Sequence, residues 1–174
     1  MLVLGFGWTG RELARRAKPL GLQVIGVRRS QFSDPSCDET YTFNQLSGLW
    51  ERADILSLNI RHTRETHKLI NSSVFEQLPE SCFLLNGSRG DIIDQEALEK
   101  HLEQGRLGGA WLDVTSPEPL PQDSPLWSFP NVLITPHCAD QVEDFPLRFA
   151  QFFQENLERY RQGAQLTNVV QNPS

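Results

Sequence analysis

The chain has 174 residues, of which 39% are hydrophobic, and its formal net charge at pH 7 is -6. This length is sufficient for one domain whose core needs neither disulfides nor a structural metal. The acidic balance provides no electrostatic surface for nucleic acid, and no apolar run reaches the ~20 residues of a membrane helix. We therefore predict no nucleic-acid partner and no membrane partner.

The cysteines favour a reduced compartment. Cys37, Cys82 and Cys138 are odd in number, widely spaced and not in a C-x-x-C pattern, so they predict neither a disulfide framework nor a zinc site. The apolar run at the start is too short for a signal peptide and has no basic flank. A cytoplasmic protein without a bound metal is the expectation, and Cys138 is interpreted as a small packed residue rather than a nucleophile.

Strand and helix patterns alternate along the chain. Short apolar runs predict strands at MLVL (1–4), LQVIGV (22–27), ADILSLNI (53–60), CFLLN (82–86), LGGAWLDV (107–114) and NVLITP (131–136). Helices are predicted at 8–20, at Asp94–Gly105 with Asp94 as the N-cap, and at 141–163, where Pro146 kinks the helix or delays its start. The turn-rich segment 30–39 and the segment 116–130, which holds five prolines, are predicted to be irregular.

This alternation, with strands that are almost continuously apolar, predicts a parallel, doubly wound α/β sheet. We find no internal repeat and no linker long enough to separate two domains. The predicted domain therefore extends over residues 1–174.

The first predicted strand runs directly into Gly5-Phe6-Gly7-Trp8-Thr9-Gly10, a G-x-G-x-x-G loop that opens the first predicted helix. In a dinucleotide-binding unit, Gly5 permits the tight turn, Gly7 lets the backbone approach a pyrophosphate, and Gly10 lets helix and strand pack closely. The helix N-terminus then offers N–H groups to the phosphates. The alternative is a simple glycine-rich turn, but the strand before the loop and the helix after it favour dinucleotide binding.

The second predicted strand is followed by Arg28, Arg29 and Ser30, where an NAD site has an Asp or Glu for the ribose hydroxyl. Two guanidiniums and a hydroxyl suit the 2′-phosphate of NADP, because arginine forms bidentate, charge-assisted bonds to phosphate. The alternative is that both arginines are simply solvated. The sequence favours NADP, with NAD possible.

Other enzyme classes lack their characteristic residues. A short-chain dehydrogenase needs a Tyr with a Lys four residues later, but Tyr41 and Tyr160 are followed at that distance by Gln45 and Ala164. The sequence also contains neither the G-x-S-x-G of a serine hydrolase nor the G-x-x-x-x-G-K of a P-loop.

Three ionisable residues, Arg89, Glu118 and His137, follow later strands, and Asp113 lies close by in sequence. Open α/β sheets bind ligands at the carboxyl ends of their strands, which is also where the glycine loop lies. A guanidinium can clamp a substrate carboxylate, an imidazole can exchange the hydroxyl proton, and a paired carboxylate fixes the imidazole tautomer. With a nicotinamide as hydride carrier, this set predicts a site for 2-oxoacids and 2-hydroxyacids. Taken singly, each residue has a capping, packing or solvent-facing alternative.

These stretches resemble the cofactor-binding domain of the D-isomer-specific 2-hydroxyacid dehydrogenases, which include glyoxylate/hydroxypyruvate reductases and D-3-phosphoglycerate dehydrogenases. The resemblance rests on GFGWTG, NGSRGDIID, LDVTSPEPLP and TPHCAD and on their spacing. It implies a Rossmann-like NAD(P)-binding domain in which Arg89 is the catalytic arginine, His137 the acid/base and Glu118 its partner. It also implies Asp113 at the nicotinamide carboxamide and further cofactor contacts at Trp8, Thr9, Ser30, Asn59, Ile60, Gly87 and Ser88.

The resemblance implies an oxidoreductase that transfers a hydride between NADP(H) and a small 2-oxoacid or 2-hydroxyacid. It also implies a homodimer paired through the cofactor domain. The family's substrate domain is expected to be absent from this sequence, so the cleft would need completion by a second subunit or domain. A non-catalytic NAD(P)-binding, dimerisation or redox-sensing module is the alternative, and a chain that folds but binds nothing is a third.

The sequence departs from the family pattern at three places. Arg28 replaces the acid of NAD-dependent members, as expected for NADP-preferring reductases. The segment NIRHTRET (59–66) replaces a proline-rich stretch at the lip of the cofactor cleft and adds positive charge. Asp140 stands where a glycine is common.

The last predicted helix has apolar residues that self-association could cover: Phe149, Phe152, Phe153 and Tyr160.

Overall fold

The structure, a computed structural model, describes residues 1–169. It divides into two compact units, the first comprising residues 1–139 and the second beginning at Asp140. The predicted domain, 1–174, extends over both units, and its residues 170–174 lie outside the described residues.

The described residues form seven strands and four α-helices. The strands are β1 (Leu2–Leu4), β2 (Ile25–Arg28), β3 (Glu39–Thr42), β4 (Ile55–Leu58), β5 (Phe83–Asn86), β6 (Gly109–Leu112) and β7 (Val132–Ile134). The helices are α1 (Trp8–Ala17), α2 (Ser72–Phe75), α3 (Gln95–Glu103) and α4 (Phe145–Arg161). Short 3₁₀ segments occupy Lys18–Leu20, Phe43–Gly48, Trp50–Arg52, Gly90–Ile92 and Pro125–Trp127.

All seven strands pair in parallel in one sheet with the order β3-β2-β1-β4-β5-β6-β7. The strand order reverses between β1 and β4, the position at which doubly wound sheets bind ligands. Leu4 is in register with Val27 of β2 and with Leu58 of β4, so the loops after these strands begin at one level. The predicted parallel, doubly wound α/β sheet is confirmed.

The residues of β1 show that both sides of the sheet are covered. Leu2 and Leu4 belong to a large hydrophobic cluster that includes Leu98 of α3, whereas Val3 belongs to a smaller cluster that includes Ala14 of α1. Because neighbouring side chains on a strand point to opposite faces, helices must pack on both faces around β1. This two-sided burial is the physical reason why the strands read as almost continuous apolar runs.

The structure differs from the sequence prediction in some elements. Strand β3 was not predicted, because Glu39–Thr42 is polar and only partly buried, and its strand form depends on pairing with β2. Helix α1 ends at Ala17, since Pro19 has no N–H to continue the helical bonds, and a 3₁₀ turn follows. The proline-rich segment, predicted to be irregular, contains one 3₁₀ turn at Pro125–Trp127.

The predicted start of α1 at Trp8 is confirmed, and two further predictions about helix starts can be compared with the structure. Asp94 is the N-cap of α3, although its side chain makes no capping hydrogen bond and instead lies 3.4 Å from Lys68 Nζ. Helix α4 begins at Phe145 with Pro146 in its first turn, which is the delayed start, one of the two effects that the sequence analysis predicts for Pro146.

The second unit is built around α4. Phe149, Phe153 and Tyr160 on this helix are exposed. The N–H of Thr167 donates to Asn156 Oδ1 at 2.9 Å, so the segment after α4 folds back towards the helix. None of the helices within residues 1–169 combines the length and the apolar character that crossing a bilayer requires.

Candidate nucleotide and catalytic site

The fold itself requires two glycines of the G-x-G-x-x-G loop, residues 5–10, which is called the phosphate loop below. Gly5 has φ +90°, and a Cβ there would lie less than 3.0 Å from the carbonyl oxygen of Asn59. A Cβ on Gly10 would lie less than 3.0 Å from the carbonyl oxygen of Gly5 and 3.1 Å from Val3 Cγ1. The tight turn and the close packing of α1 on β1 therefore both need glycine.

Gly7 differs from its two neighbours, because a Cβ there would meet nothing within 4 Å. Gly7 is the N-cap of α1, and the helix has neither a side-chain cap nor an acidic residue in its first turn. Its first N–H groups and the positive end of its dipole are thus left for an external anion. This open, uncapped helix start fits the pyrophosphate of a dinucleotide.

Trp8 and Thr9 follow Gly7 on the outer surface of the loop. Trp8 is 77% exposed, and the guanidinium of Arg11 lies 5.8 Å from the centre of its ring. Arg11 Nε also forms an ion pair with Asp34 Oδ2 at 2.8 Å. These contacts connect α1 to the loop after β2, and the role of Trp8 as a cofactor contact stays a prediction.

Arg28, Arg29 and Ser30 are exposed at the carboxyl end of β2. The N–H groups of Gly5 and Phe6 both donate to the carbonyl oxygen of Val27, at 3.0 and 3.1 Å, which fixes the end of β2 against the phosphate loop. Among residues 1–169, no carboxylate forms an ion pair with Arg28 or Arg29. Their charges are therefore available for an anionic group beside the phosphate loop.

The lip segment, residues 59–66, follows β4. The N–H of Asn59 donates to the carbonyl oxygen of Leu4 at 2.7 Å, and Ile60 is buried. The Thr63 hydroxyl is the main cause of a lowered pKa at Glu65, and the charge of Arg29 lowers the same pKa further. The charge of Arg29 at the end of β2 therefore acts on Glu65 of the lip segment.

Asn86, which the sequence analysis did not assign a role, shapes the loop after β5. This residue is buried, and its Oδ1 accepts hydrogen bonds from the N–H and the hydroxyl of Ser88, at 3.1 and 2.8 Å. Its Nδ2 donates to the carbonyl oxygen of Arg89 at 3.0 Å. The loop that carries Gly87 and Ser88 is thus closed onto Asn86, with Arg89 exposed at its tip.

The loops after β5 and β6 contact each other and are connected by hydrogen bonds. A Cβ on Gly90 would overlap the carbonyl oxygen of Thr115, so the two backbones are in direct contact. The Ser116 hydroxyl donates to Asp91 Oδ1, and the Ser116 N–H donates to Gln95 Oε1 at 3.1 Å. These bonds place the segment that carries Glu118 against the loop that carries Arg89.

Glu118 and His137 form a direct pair. His137 Nδ1–H donates to Glu118 Oε1 at 2.6 Å, with 46% of the His137 side chain and 42% of the Glu118 side chain exposed. The backbone of His137 has φ +51°, an uncommon left-handed conformation for a residue other than glycine. This conformation belongs to the tight turn after β7 that presents the imidazole.

Asp113 holds that turn. It is only 2% exposed, and its carboxylate accepts hydrogen bonds from the Thr135 hydroxyl and from the N–H groups of Cys138 and Ala139, at 3.0 and 2.8 Å for the two N–H groups. Burial alone would raise the pKa of Asp113, but these hydrogen bonds outweigh burial and hold the pKa below its usual value. Thr135 is a second residue that sequence reasoning missed.

The structure therefore brings Glu118 and His137 into contact and places the loop of Arg89 beside that of Glu118. The Arg89 guanidinium itself donates to the carbonyl oxygen of Ser88. Gly87 lies close to the turn after β7, because a Cβ on it would be 3.7 Å from Ala139 Cβ. Within residues 1–169, His, Cys, Asp and Glu side chains form no group of three that could hold a metal ion.

The family model of the D-isomer specific 2-hydroxyacid dehydrogenase, NAD binding domain, matches residues 1–139. The chain belongs to this family. Its relatives include the glyoxylate reductase of Korarchaeum cryptofilum, which is 34% identical over 171 residues; the match covers 97% of this chain and 51% of that protein.

Solved structures of the D-isomer specific 2-hydroxyacid dehydrogenase family share the fold. The enzyme of Xanthobacter autotrophicus Py2 in complex with NADPH and MES is 32% identical, with a TM-score of 0.88 over 98% of this chain and 70% of that chain. The NADPH-dependent glyoxylate/hydroxypyruvate reductase of Sinorhizobium meliloti, in complex with NADP and sulfate, is 31% identical, with a TM-score of 0.87 over 97% of this chain and 54% of that chain. The chain spans about half the length of the curated relatives that it matches.

Proposed function

We propose that this chain is the cofactor-binding part of an NADP(H)-dependent 2-hydroxyacid dehydrogenase. The reaction would interconvert a glyoxylate- or hydroxypyruvate-like 2-oxoacid and its 2-hydroxyacid. The observation that carries this proposal is the hydrogen-bonded pair of His137 and Glu118, at 2.6 Å, at the carboxyl edge of a sheet whose glycine loop has an open helix start. The names of the reductases among its relatives support the same reaction.

The residues present fit a dinucleotide. Gly7 and the start of α1 would hold the pyrophosphate, since Gly7 has free space where a side chain would be. Arg28, Arg29 and Ser30 would hold the 2′-phosphate of NADP, because neither arginine forms an ion pair with a carboxylate of residues 1–169. When bound, the nicotinamide supplies or accepts the hydride. The remaining proposed cofactor contacts lie along the same edge of the sheet: Trp8, Thr9, Asn59, Ile60, Gly87, Ser88 and Asp113.

The imidazole of His137 would move the proton. Its Nδ1 is bonded to Glu118, so Nε2 is the nitrogen that gives a proton to the substrate carbonyl oxygen in reduction and takes it back in oxidation. Glu118 fixes the ring orientation and stabilises the positive charge on the protonated ring. Arg89 would bind the substrate carboxylate, because its guanidinium has further N–H donors besides the one that bonds to the carbonyl oxygen of Ser88.

Homodimerisation through the cofactor domain and a cytoplasmic location also belong to this proposal. The exposed apolar side chains of α4, such as Phe149 and Phe153, support an association surface.

The test combines binding and turnover on the same preparations. Calorimetric titration of the chain with NADPH and with NADH measures cofactor binding, and Arg28→Ala should weaken NADPH binding while it leaves NADH binding unchanged. NADPH oxidation with glyoxylate and hydroxypyruvate should fall about 10²- to 10⁴-fold in His137→Ala, with NADPH affinity retained.

Each outcome decides one part of the proposal. The absence of heat with either nucleotide refutes the cofactor assignment. NADPH binding without turnover of either 2-oxoacid refutes catalysis by this chain and favours a non-catalytic NADP-binding module. Equal turnover in the wild type and His137→Ala refutes the assignment of the acid/base.

A further inference from the structure

Arg28 is stacked on an aromatic ring. The guanidinium carbon of Arg28 lies 5.9 Å from the centre of the Phe32 ring, within the range of a cation–π contact. Phe32 follows β2 by four residues, in a segment that the sequence analysis assigned only to a loop. The contact restricts where the exposed Arg28 side chain can point, whereas Arg29 has no such support among residues 1–169.

Phe32 is in turn held by the phosphate loop. Its ring stacks on the ring of Phe6, with centroids 5.2 Å apart and an angle of 29° between the planes. Phe6 is fully buried between two glycines of the loop. Gly26 makes room for this pair, because a Cβ there would lie 2.8 Å from Phe6 Cδ2 and 3.1 Å from Phe32 Cζ.

The backbone around Phe32 is also fixed. The Thr40 hydroxyl of β3 donates to the carbonyl oxygen of Phe32 at 2.9 Å. Two residues later, Asp34 accepts hydrogen bonds from the N–H and the hydroxyl of Ser36 and forms an ion pair with Arg11 of α1. The segment that carries Phe32 is therefore attached to β3 and to α1, so the ring is a rigid support for Arg28.

We propose that Phe32 is a positioning residue that stacks on Phe6 and holds Arg28 in place for the 2′-phosphate, and so contributes to the preference for NADPH over NADH. This inference rests on the proposed function, since it assumes that Arg28 binds the phosphate. NADH lacks the 2′-phosphate, so the ordering of Arg28 affects only the phosphorylated cofactor. A preorganised guanidinium loses less side-chain freedom on binding, which raises affinity without a new contact to the ligand.

The experiment compares NADPH and NADH affinities of the full chain by titration. Phe32→Leu keeps an apolar side chain but removes the ring face, and we expect it to weaken NADPH binding about two- to fivefold and to leave NADH binding unchanged. Phe32→Tyr keeps the ring face and should restore the wild-type ratio of affinities. Phe83→Leu, at a half-exposed phenylalanine of β5, is the matched control and should change neither affinity.

A double-mutant comparison tests whether Phe32 affects NADPH affinity through Arg28. In an Arg28→Ala background, Phe32→Leu should cause no further loss of NADPH affinity, because the group that the ring positions is gone. Equal weakening of NADPH and NADH in Phe32→Leu, or an unchanged NADPH affinity, would overturn the inference. The inference would also be overturned if Phe32→Leu lowered NADPH affinity by the same factor in the Arg28→Ala background as in the wild type.

Failure of this inference can be told apart from failure of the proposed function. A wild-type chain that binds neither nucleotide, or that binds both equally, refutes the assignment of NADP and the positioning role with it. A wild-type chain that prefers NADPH, with Phe32→Leu showing the same preference, refutes only the role of Phe32.

Discussion

The three glycines of the phosphate loop should separate into two kinds when each is replaced by alanine. At Gly5, the new methyl would overlap the carbonyl oxygen of Asn59, and the residue would keep φ +90°. The left-handed backbone costs about 1–2 kcal/mol for a residue with a Cβ, and overpacking adds about 1–3 kcal/mol. Gly5→Ala should therefore lower the free energy of unfolding by about 2–5 kcal/mol.

Gly10→Ala should also be destabilising, by about 1–3 kcal/mol, because its methyl would overlap the carbonyl oxygen of Gly5 although its φ is ordinary. Gly7→Ala should behave differently. Its methyl meets no protein atom within 4 Å, so the expected loss is that of a poorer N-cap, about 0.5–1 kcal/mol. The same methyl would stand where the pyrophosphate approaches, so we expect NADPH affinity to fall at least about tenfold.

Urea unfolding of the three variants measures stability, and titration with NADPH measures binding. The prediction requires that Gly7→Ala loses affinity while it keeps nearly wild-type stability, and that Gly5→Ala loses mainly stability. A Gly7→Ala variant as unstable as Gly5→Ala would show that the space beside Gly7 is filled by the protein. A stable Gly7→Ala variant with full NADPH affinity would refute the assignment of the pyrophosphate to this loop.

Three further predictions concern the catalytic edge. Asp113→Asn should lower the free energy of unfolding by about 1–3 kcal/mol, because a charged acceptor of two N–H groups and a hydroxyl is lost from a buried position; an unchanged urea midpoint would contradict this. Because the pKa of Asp113 is lowered on folding, its stabilisation is present above its unfolded pKa of about 3.9 and is lost as the pH falls through the folded pKa. The stability difference between wild type and Asp113→Asn should therefore be full at about pH 6 and shrink below about pH 4. Glu118→Gln should reduce turnover with glyoxylate about 10²-fold while NADPH affinity stays constant, and a variant with full turnover would exclude Glu118 as the partner of His137.

The sheet could be predicted from the sequence because each central strand is buried on both faces. Val3 and Leu4 pack on opposite sides of β1, so the apolar run is visible without any knowledge of the partners. Strand β3 gave no such signal, since Glu39–Thr42 lies at the edge of the sheet and is only partly buried. Its strand form comes from pairing with β2, which is a tertiary interaction that local propensity does not encode.

The same limit applies to the site. Arg89, Glu118 and His137 could be proposed as site residues because they follow apolar strands and their spacing resembles a known family, and their roles stay predictions. The roles of Asn86 and Thr135 could not be predicted, because a short polar residue at the end of a strand is also typical of an ordinary turn. Their roles depend on bonds made in three dimensions, from Asn86 to Ser88 and Arg89 and from Thr135 to Asp113.

The hydrogen bond between His137 and Glu118 is too weak to fix the positions of both side chains. His137 and Glu118 are both nearly half exposed, and an ion pair in such a position contributes only about 0–1 kcal/mol. The uncommon φ of His137 must therefore be maintained by other bonds. The N–H of His137 donates to the carbonyl oxygen of Asp113 at 2.9 Å, and the buried Asp113 carboxylate accepts from the N–H groups of the next two residues. It follows that Asp113→Asn, which leaves the side chains of His137 and Glu118 unchanged, should lower both the free energy of unfolding and turnover with glyoxylate, whereas Glu118→Gln should lower turnover and leave the free energy of unfolding almost unchanged.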